Sequence, residues 1–206
     1  MYFTNCKGVA ISGVHHSGER SVSQKIHRLT FEELAPNVQE VLRARVERLG
    51  YLGEFFRCAG HQADVLTPFM EMTENLKKAL PDRLTETGAL TVATLMANQY
   101  ELHQHERLSR KLGFGDEWVA DVEKVDPVGA TGLSDQERAV QRLAIALIER
   151  KGKNVQEELD DVIEQIGVQQ AIAVLFLVGR YITHALIVNS LELSPPVPSI
   201  FKEAEQ

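Results

Sequence analysis

Residues 83–112 read RLTETGALTVATLMANQYELHQHERLSRKL, and how this stretch is divided decides the fold. As one helix it would run about 30 residues, long for a globular protein. Asn98 is a good N-cap residue, and Glu101 follows it at the spacing of a capping box. The stretch therefore reads as two helices, 82–96 and 99–112, folded back as a hairpin hinged at 97–98. On one continuous helix Glu86 and His105 would stand about 28 Å apart, at a rise of about 1.5 Å per residue. In a hairpin their side chains can meet. Asn98, Glu101 and His105 share one face of the second helix at i, i+3 and i+7. The spacing thus predicts a buried cluster of Glu86, Glu101 and His105 between two helices.

A buried carboxylate beside an imidazole is the material of general acid–base chemistry, because burial shifts the pKa of each group and each partner shifts it back. Simpler readings exist for every member. Glu101 is also the glutamate of a capping box, His105 at i+4 also fits a surface ion pair, and Glu86 also fits an i, i+3 pair with Arg83. The small residues Gly88-Ala89-Leu90-Thr91-Val92-Ala93 after Glu86 suit a tightly packed hairpin.

The stretch resembles the carboxymuconolactone decarboxylase-like family, which includes the alkylhydroperoxidase-like peroxidases. The residues that carry the resemblance are Leu80-Pro81-Asp82-Arg83-Leu84-Thr85-Glu86, a small apolar run, and Asn98-Gln99-Tyr100-Glu101-Leu102-His103-Gln104-His105. In the peroxidase members a glutamate precedes a Cys-x-x-Cys pair by about a dozen residues, and a histidine follows the second cysteine after three more. Glu86, Asn98, Glu101 and His105 fall at those four positions, so the glutamate and histidine are kept and both cysteines are replaced. The resemblance covers about 50–125 well and the C-terminal helices more loosely. It implies an all-helical domain that self-associates, with its site beside the central hairpin.

The rest of the chain fits an all-α fold. It has 206 residues, 44% of them hydrophobic, and a net charge of −7, enough for one domain with a real core. No alternating strand pattern and no repeat is visible. The reading is a bundle of seven or eight helices: a weakly ordered arm over 1–29, a single helical domain over 30–193, and an extended proline-rich tail over 194–206. Thr30 with Glu33 predicts a helical turn, Pro36 the start of a longer helix, Thr67-Pro68 a restart, and Ser134 with Glu137 a capping box. Gly152 and Gly167 read as helix stops. A helix from Val168 to Leu193, apolar nearly all round, asks for cover from another copy of the chain.

Acidic net charge without a basic stripe argues against nucleic acid as a partner. The most apolar run, Ala171–Gly179, is short for a membrane span, and residues 1–14 make no convincing secretory signal. Cys6 and Cys58 are far apart without metal-type spacing, which points to a reducing, cytoplasmic setting. His15-His16 lacks a third ligand, and no metal or cofactor is expected, although Glu101 and His105 could supply two ligands.

Without a Cys-x-x-Cys pair the two-thiol peroxidase cycle is missing its parts. What remains is proton transfer on a small-molecule substrate, decarboxylation or isomerisation of a carboxylated compound. His105 would be acid or base, Glu86 its orienter, and Glu101 a second carboxylate. Asn98, Tyr100 and Arg180 are candidate substrate contacts. Arg180, inside an apolar helix, would grip a substrate carboxylate or pair with a glutamate of another helix. His103 is expected at the surface or at a contact between copies in a homo-oligomer. Two alternatives stand beside this reading: a peroxidase-related antioxidant protein in which folding brings Cys58 to the site, and a non-enzymatic helical oligomer that kept the fold.

Overall fold

A computed structural model describes residues 25–202. Residues 1–24, most of the arm expected over 1–29 and including Cys6 and His15-His16, and residues 203–206 lie outside it. Among the described residues there are eight α-helices and no strand: α1 (Pro36–Leu49), α2 (Glu54–Ala59), α3 (Ala63–Ala79), α4 (Asp82–Leu95), α5 (Gln99–Lys111), α6 (Asp116–Glu123), α7 (Asp135–Glu149) and α8 (Gln156–Ser190). A single 3-10 turn, Gly60–Gln62, joins α2 to α3.

Helix α4 is the axis of the bundle, packing on α5, α7 and α8. Every residue from Leu84 to Ala93 is buried. Its small side chains allow this. A Cβ on Gly88 would stand 2.7 Å from Leu177 Cδ2, so glycine sets how closely α4 and α8 approach. The threonines need no outside partner, since the hydroxyls of Thr85, Thr87 and Thr91 each donate to the carbonyl four residues back. Around this axis lies the main apolar core, built with Leu143 and Ala144 of α7 and Val174, Leu177 and Val178 of α8. A second cluster joins α1, α2 and α3 through Leu42, Phe55, Leu66 and Met70.

The hairpin closes at the hinge expected from the Asn98 cap. Ala97 takes a left-handed φ of 51°, and Asn98 Oδ1 accepts the Glu101 backbone N–H at 3.2 Å as the N-cap of α5. Ser134 and Glu137 form a complete capping box, and Gly152 closes α7 with φ of 73°. Gly167, with a non-helical backbone at φ of 81°, divides α8 into two helical segments, as its reading as a helix stop implied.

Several local expectations are corrected. Pro68 lies inside α3, not at its start, because the chain becomes helical at Ala63. Arg83 turns away from Glu86 to pair with Glu137, and its guanidinium stacks on Phe114 and Trp118. His103 is buried, with Nδ1 in a hydrogen bond to Val197 O at 3.0 Å. The segment after α8 is a strap laid along α5: Arg107 Nε donates to Pro198 O, and Ile200 N donates to Glu106 at 2.7 Å. Ile200 is buried with Leu90, Trp118 and Val122. By length and composition α8 contains a window long and apolar enough to cross a membrane, because the residues flanking Ala171–Gly179 are also apolar. That window is 56% buried inside the bundle, as a core helix would be.

Candidate active site

The hairpin brings together the three residues whose spacing first suggested a site. Glu86 projects from the first half of α4 and is 3% exposed. Its Oε2 lies 2.7 Å from His105 Nδ1, and Ser109 Oγ, one turn beyond His105, donates to the same oxygen at 3.4 Å. The other imidazole nitrogen, Nε2, is 3.1 Å from Glu101 Oε2 and 3.1 Å from the hydroxyl of Tyr181. Glu101 Oε1 meets His184 Nε2 at 2.9 Å and Arg180 Nη1 at 3.5 Å. Glu86, His105 and Glu101 therefore form a continuous chain, which α8 joins at His105 through Tyr181 and at Glu101 through Arg180 and His184.

Glu101 is not the reciprocal glutamate of a capping box. The Asn98 backbone N–H is already taken by Ala93 O, which leaves the Glu101 carboxylate for the two histidines and the arginine. Asn98 and Tyr100 are buried beside this cluster. Asn98 is 1% exposed, with Nδ2 3.5 Å from His184 Nδ1. The Tyr100 hydroxyl accepts the Phe55 N–H at 3.3 Å, and burial pushes its pKa up to about 12.

Arg180 spans the gap between cluster and solvent. Its Nε donates to Thr73 Oγ1 at 3.1 Å, and its guanidinium lies 4.4 Å from the ring centre of Tyr181 and 5.0 Å from that of Phe69. Nη1 is buried without a well-aligned acceptor. His184 packs on Phe55, their ring centres 4.2 Å apart.

The charges follow from these partners. Burial disfavours a charged His105, but Glu86 and Glu101 outweigh it and raise the imidazole to about 9. Glu101, which burial alone would raise, is held well below the usual carboxylate range by His184, His105 and Arg180. Burial lowers the pKa of His184, and the charges of Arg180 and His105 add to that effect. Burial raises the Tyr181 hydroxyl far above its ordinary value. At neutral pH the centre holds an imidazolium on His105, a carboxylate on Glu101, a neutral imidazole on His184 and a neutral phenol on Tyr181.

Glu101, His105, Arg180 and Tyr181 line the floor of a cleft of about 330 Å³, within the range of small-molecule sites. Val197 of the strap forms part of its wall. Cys58 does not line it. This thiol is 5% exposed among Phe55, Phe56 and Leu34, and burial raises its pKa, against the stable thiolate a peroxidase needs. Among the described residues no group of three or more His, Cys, Asp or Glu side chains is arranged to hold a metal ion.

Sequence spacing missed Tyr181 and His184 as members of the cluster. The signal for them was the run Arg180-Tyr181 with His184, three polar-capable side chains on one apolar helix, which needed a partner that spacing could not name.

No protein-family model and no curated protein matches the chain by sequence. Its fold does match solved structures. The debrominase Bmp8 aligns with a TM-score of 0.73 at 14% identity, over 86% of this chain and 95% of that one. A peroxidase-related protein from Ralstonia eutropha JMP134, described as an alkylhydroperoxidase AhpD core, aligns at 0.71 and 14% identity, over 82% and 92%. A peroxidase-related protein from Silicibacter sp. TM1040 aligns at 0.69 and 14% identity, over 90% and 96%. The architecture is the all-α AhpD-like fold, the one implied by the hairpin motif. At this level of identity the likeness describes the fold and leaves the chemistry to the site.

Proposed function

We propose that the protein is a thiol-free proton-transfer enzyme of the carboxymuconolactone decarboxylase-like type, acting on a small carboxylated substrate. The observation that carries this reading is the buried chain Glu86–His105–Glu101, which opens at Glu101 and Tyr181 onto a cleft floored by Arg180. An imidazolium held by two carboxylates is a proton donor at neutral pH. A carboxylate held as strongly as Glu101 is a poor base.

That asymmetry favours decarboxylation over isomerisation. Loss of CO2 from a substrate carboxylate leaves an electron pair on carbon or on a conjugated oxygen, and one proton must be supplied to it. His105 Nε2 supplies that proton, directly or through the Tyr181 hydroxyl, which accepts from Nε2 while giving up its own hydrogen. Glu86 keeps the ring oriented, Arg180 holds the substrate's anionic end, and solvent restores the proton after release. An isomerase would first need a base, and Glu101, the carboxylate that lines the cleft, is held too strongly to serve as one.

The test is CO2 release and solvent-deuterium incorporation with carboxylated lactones and β-keto acids, on wild type and His105→Asn. The expected result is turnover in the wild type, reduced by roughly 10²–10⁴ in the variant. An unaffected variant would overturn the assignment of His105. Thiol-dependent peroxide consumption that disappears in Cys58→Ser would overturn the thiol-free reading itself.

A further inference from the structure

The same cleft has a second chemical feature, which the acid–base cluster does not use. Besides Arg180, its wall carries Arg45 and Arg48 from α1, Lys77 from α3, and Arg107 and Lys111 from α5. Glu101 is the one carboxylate among the lining residues, and it is already engaged by His105, His184 and Arg180. The whole chain has a net charge of −7, so this concentration of cations runs against the composition.

Three of the cations have no acidic partner among the described residues: Arg45, Arg48 and Lys111. Arg45 rests its guanidinium 5.0 Å from the ring centre of Phe56, and its Nε is buried without a hydrogen-bond partner. Arg180, 8% exposed, likewise keeps Nη1 without a well-aligned acceptor. The cations repel one another, so a site of this kind is stabilised by an anion that neutralises several at once. A single carboxylate is satisfied by one bidentate guanidinium, and Arg180 alone can provide that. Cations from three helices at the mouth suit a group with more charge and more acceptor oxygens, the properties of a phosphate ester or diphosphate.

We propose that the mouth of the cleft is a polyanion subsite, and that the natural ligand carries a phosphate-type group there while its other end reaches the Glu101–His105 floor. The proposal rests on the proposed function only for what happens at the floor; binding at the mouth is independent of turnover. A nucleic acid does not fit, because the cationic surface is confined to a cleft of about 330 Å³.

The experiment is calorimetric titration with inorganic pyrophosphate and, separately, with malonate and chloride at matched ionic strength. The proteins are wild type, Lys153→Glu, and the double variant Arg48→Glu/Lys111→Glu. Both altered rim residues are exposed, so charge reversal there leaves the core intact. The expected result is one pyrophosphate per chain, bound at least about tenfold more tightly than malonate, with affinity falling as salt rises. The double variant loses about tenfold or more, and Lys153→Glu, at an exposed lysine that does not line the cleft, binds as wild type does. Equal affinity for pyrophosphate and malonate would assign the rim to carboxylates and overturn the phosphate assignment. Binding unchanged in the double variant would overturn the subsite. Pyrophosphate binding in a protein that decarboxylates nothing would leave the subsite standing and remove the proposed reaction alone.

Discussion

His105 gathers more of the site's energetics than any other side chain, because it is buried and flanked by a carboxylate at each nitrogen. Its folded pKa of about 9 stands above the ordinary 6.5. A raised value of this kind stabilises the fold fully below the unfolded pKa, and the stabilisation is lost as pH rises through the folded one. The loss therefore falls between about pH 6.5 and about 9, and it is of the order of 3 kcal/mol at roughly 1.4 kcal/mol per unit. Urea midpoints measured across that window should decline in the wild type. In Glu86→Gln the decline should be much shallower; an equally steep decline there would place its origin elsewhere. The proposed proton-transfer activity should fall over the same alkaline limb, since the neutral imidazole no longer carries the proton to be given. The residue pair itself was legible in sequence, because the N-cap signal at Asn98 fixed the hinge and the hinge fixed which side chains could meet. Tyr181 and His184 were not, since they reach the site from α8 across more than 70 residues of chain, and no local period encodes that approach.

At the scale of elements, α4 and α8 meet through the absence of a side chain. Gly88→Val would push Leu177 outward from a core with no spare room, and overpacking of this sort costs about 1–3 kcal/mol. Because α4 carries Glu86 two residues earlier and α8 carries Tyr181 one turn after Leu177, the variant should lose activity beyond what its stability predicts. Thermal midpoints together with turnover at a temperature where the variant is fully folded would separate the two effects. Helix limits are largely readable from caps and glycines. The exceptions have physical causes. Pro68 reads as a start signal, but α3 accommodates it a turn and a half in. Gly167, read as a stop, is not among them: its non-helical backbone divides Gln156–Ser190 there. The strap reads as an extended tail because prolines announce a lack of helix, not the surface on which the chain will lie.

At the scale of the whole molecule, one face of α8 remains uncovered. Val168, Ile172, Phe176 and Leu186 are 61%, 46%, 59% and 56% exposed, and they fall on one stripe of the helix. Beside it runs a groove formed with Pro68, Met72 and Leu76 of α3. The apolar pattern of this helix asks for cover on several sides, and the bundle covers only its inner side. We propose that the stripe is where copies of the chain associate. Sedimentation at micromolar concentration should give a multiple of 23.0 kDa, and Phe176→Glu should shift it toward that mass. A wild-type protein sedimenting at 23.0 kDa would defeat the proposal. The cationic cleft was invisible at sequence level for a related reason: its charges are scattered over α1, α3 and α5, and only the assembled bundle makes them neighbours.

The burial of Trp118 gives the molecule an optical handle. It is the single tryptophan in the chain, held between the Arg83 guanidinium and Phe114, in the same cluster that receives Ile200 of the strap. Its emission therefore comes from one known environment, apolar and flanked by a cation. Lifting the strap would wet the indole and redden the spectrum, so fluorescence alone distinguishes a closed cleft wall from an open one without any label.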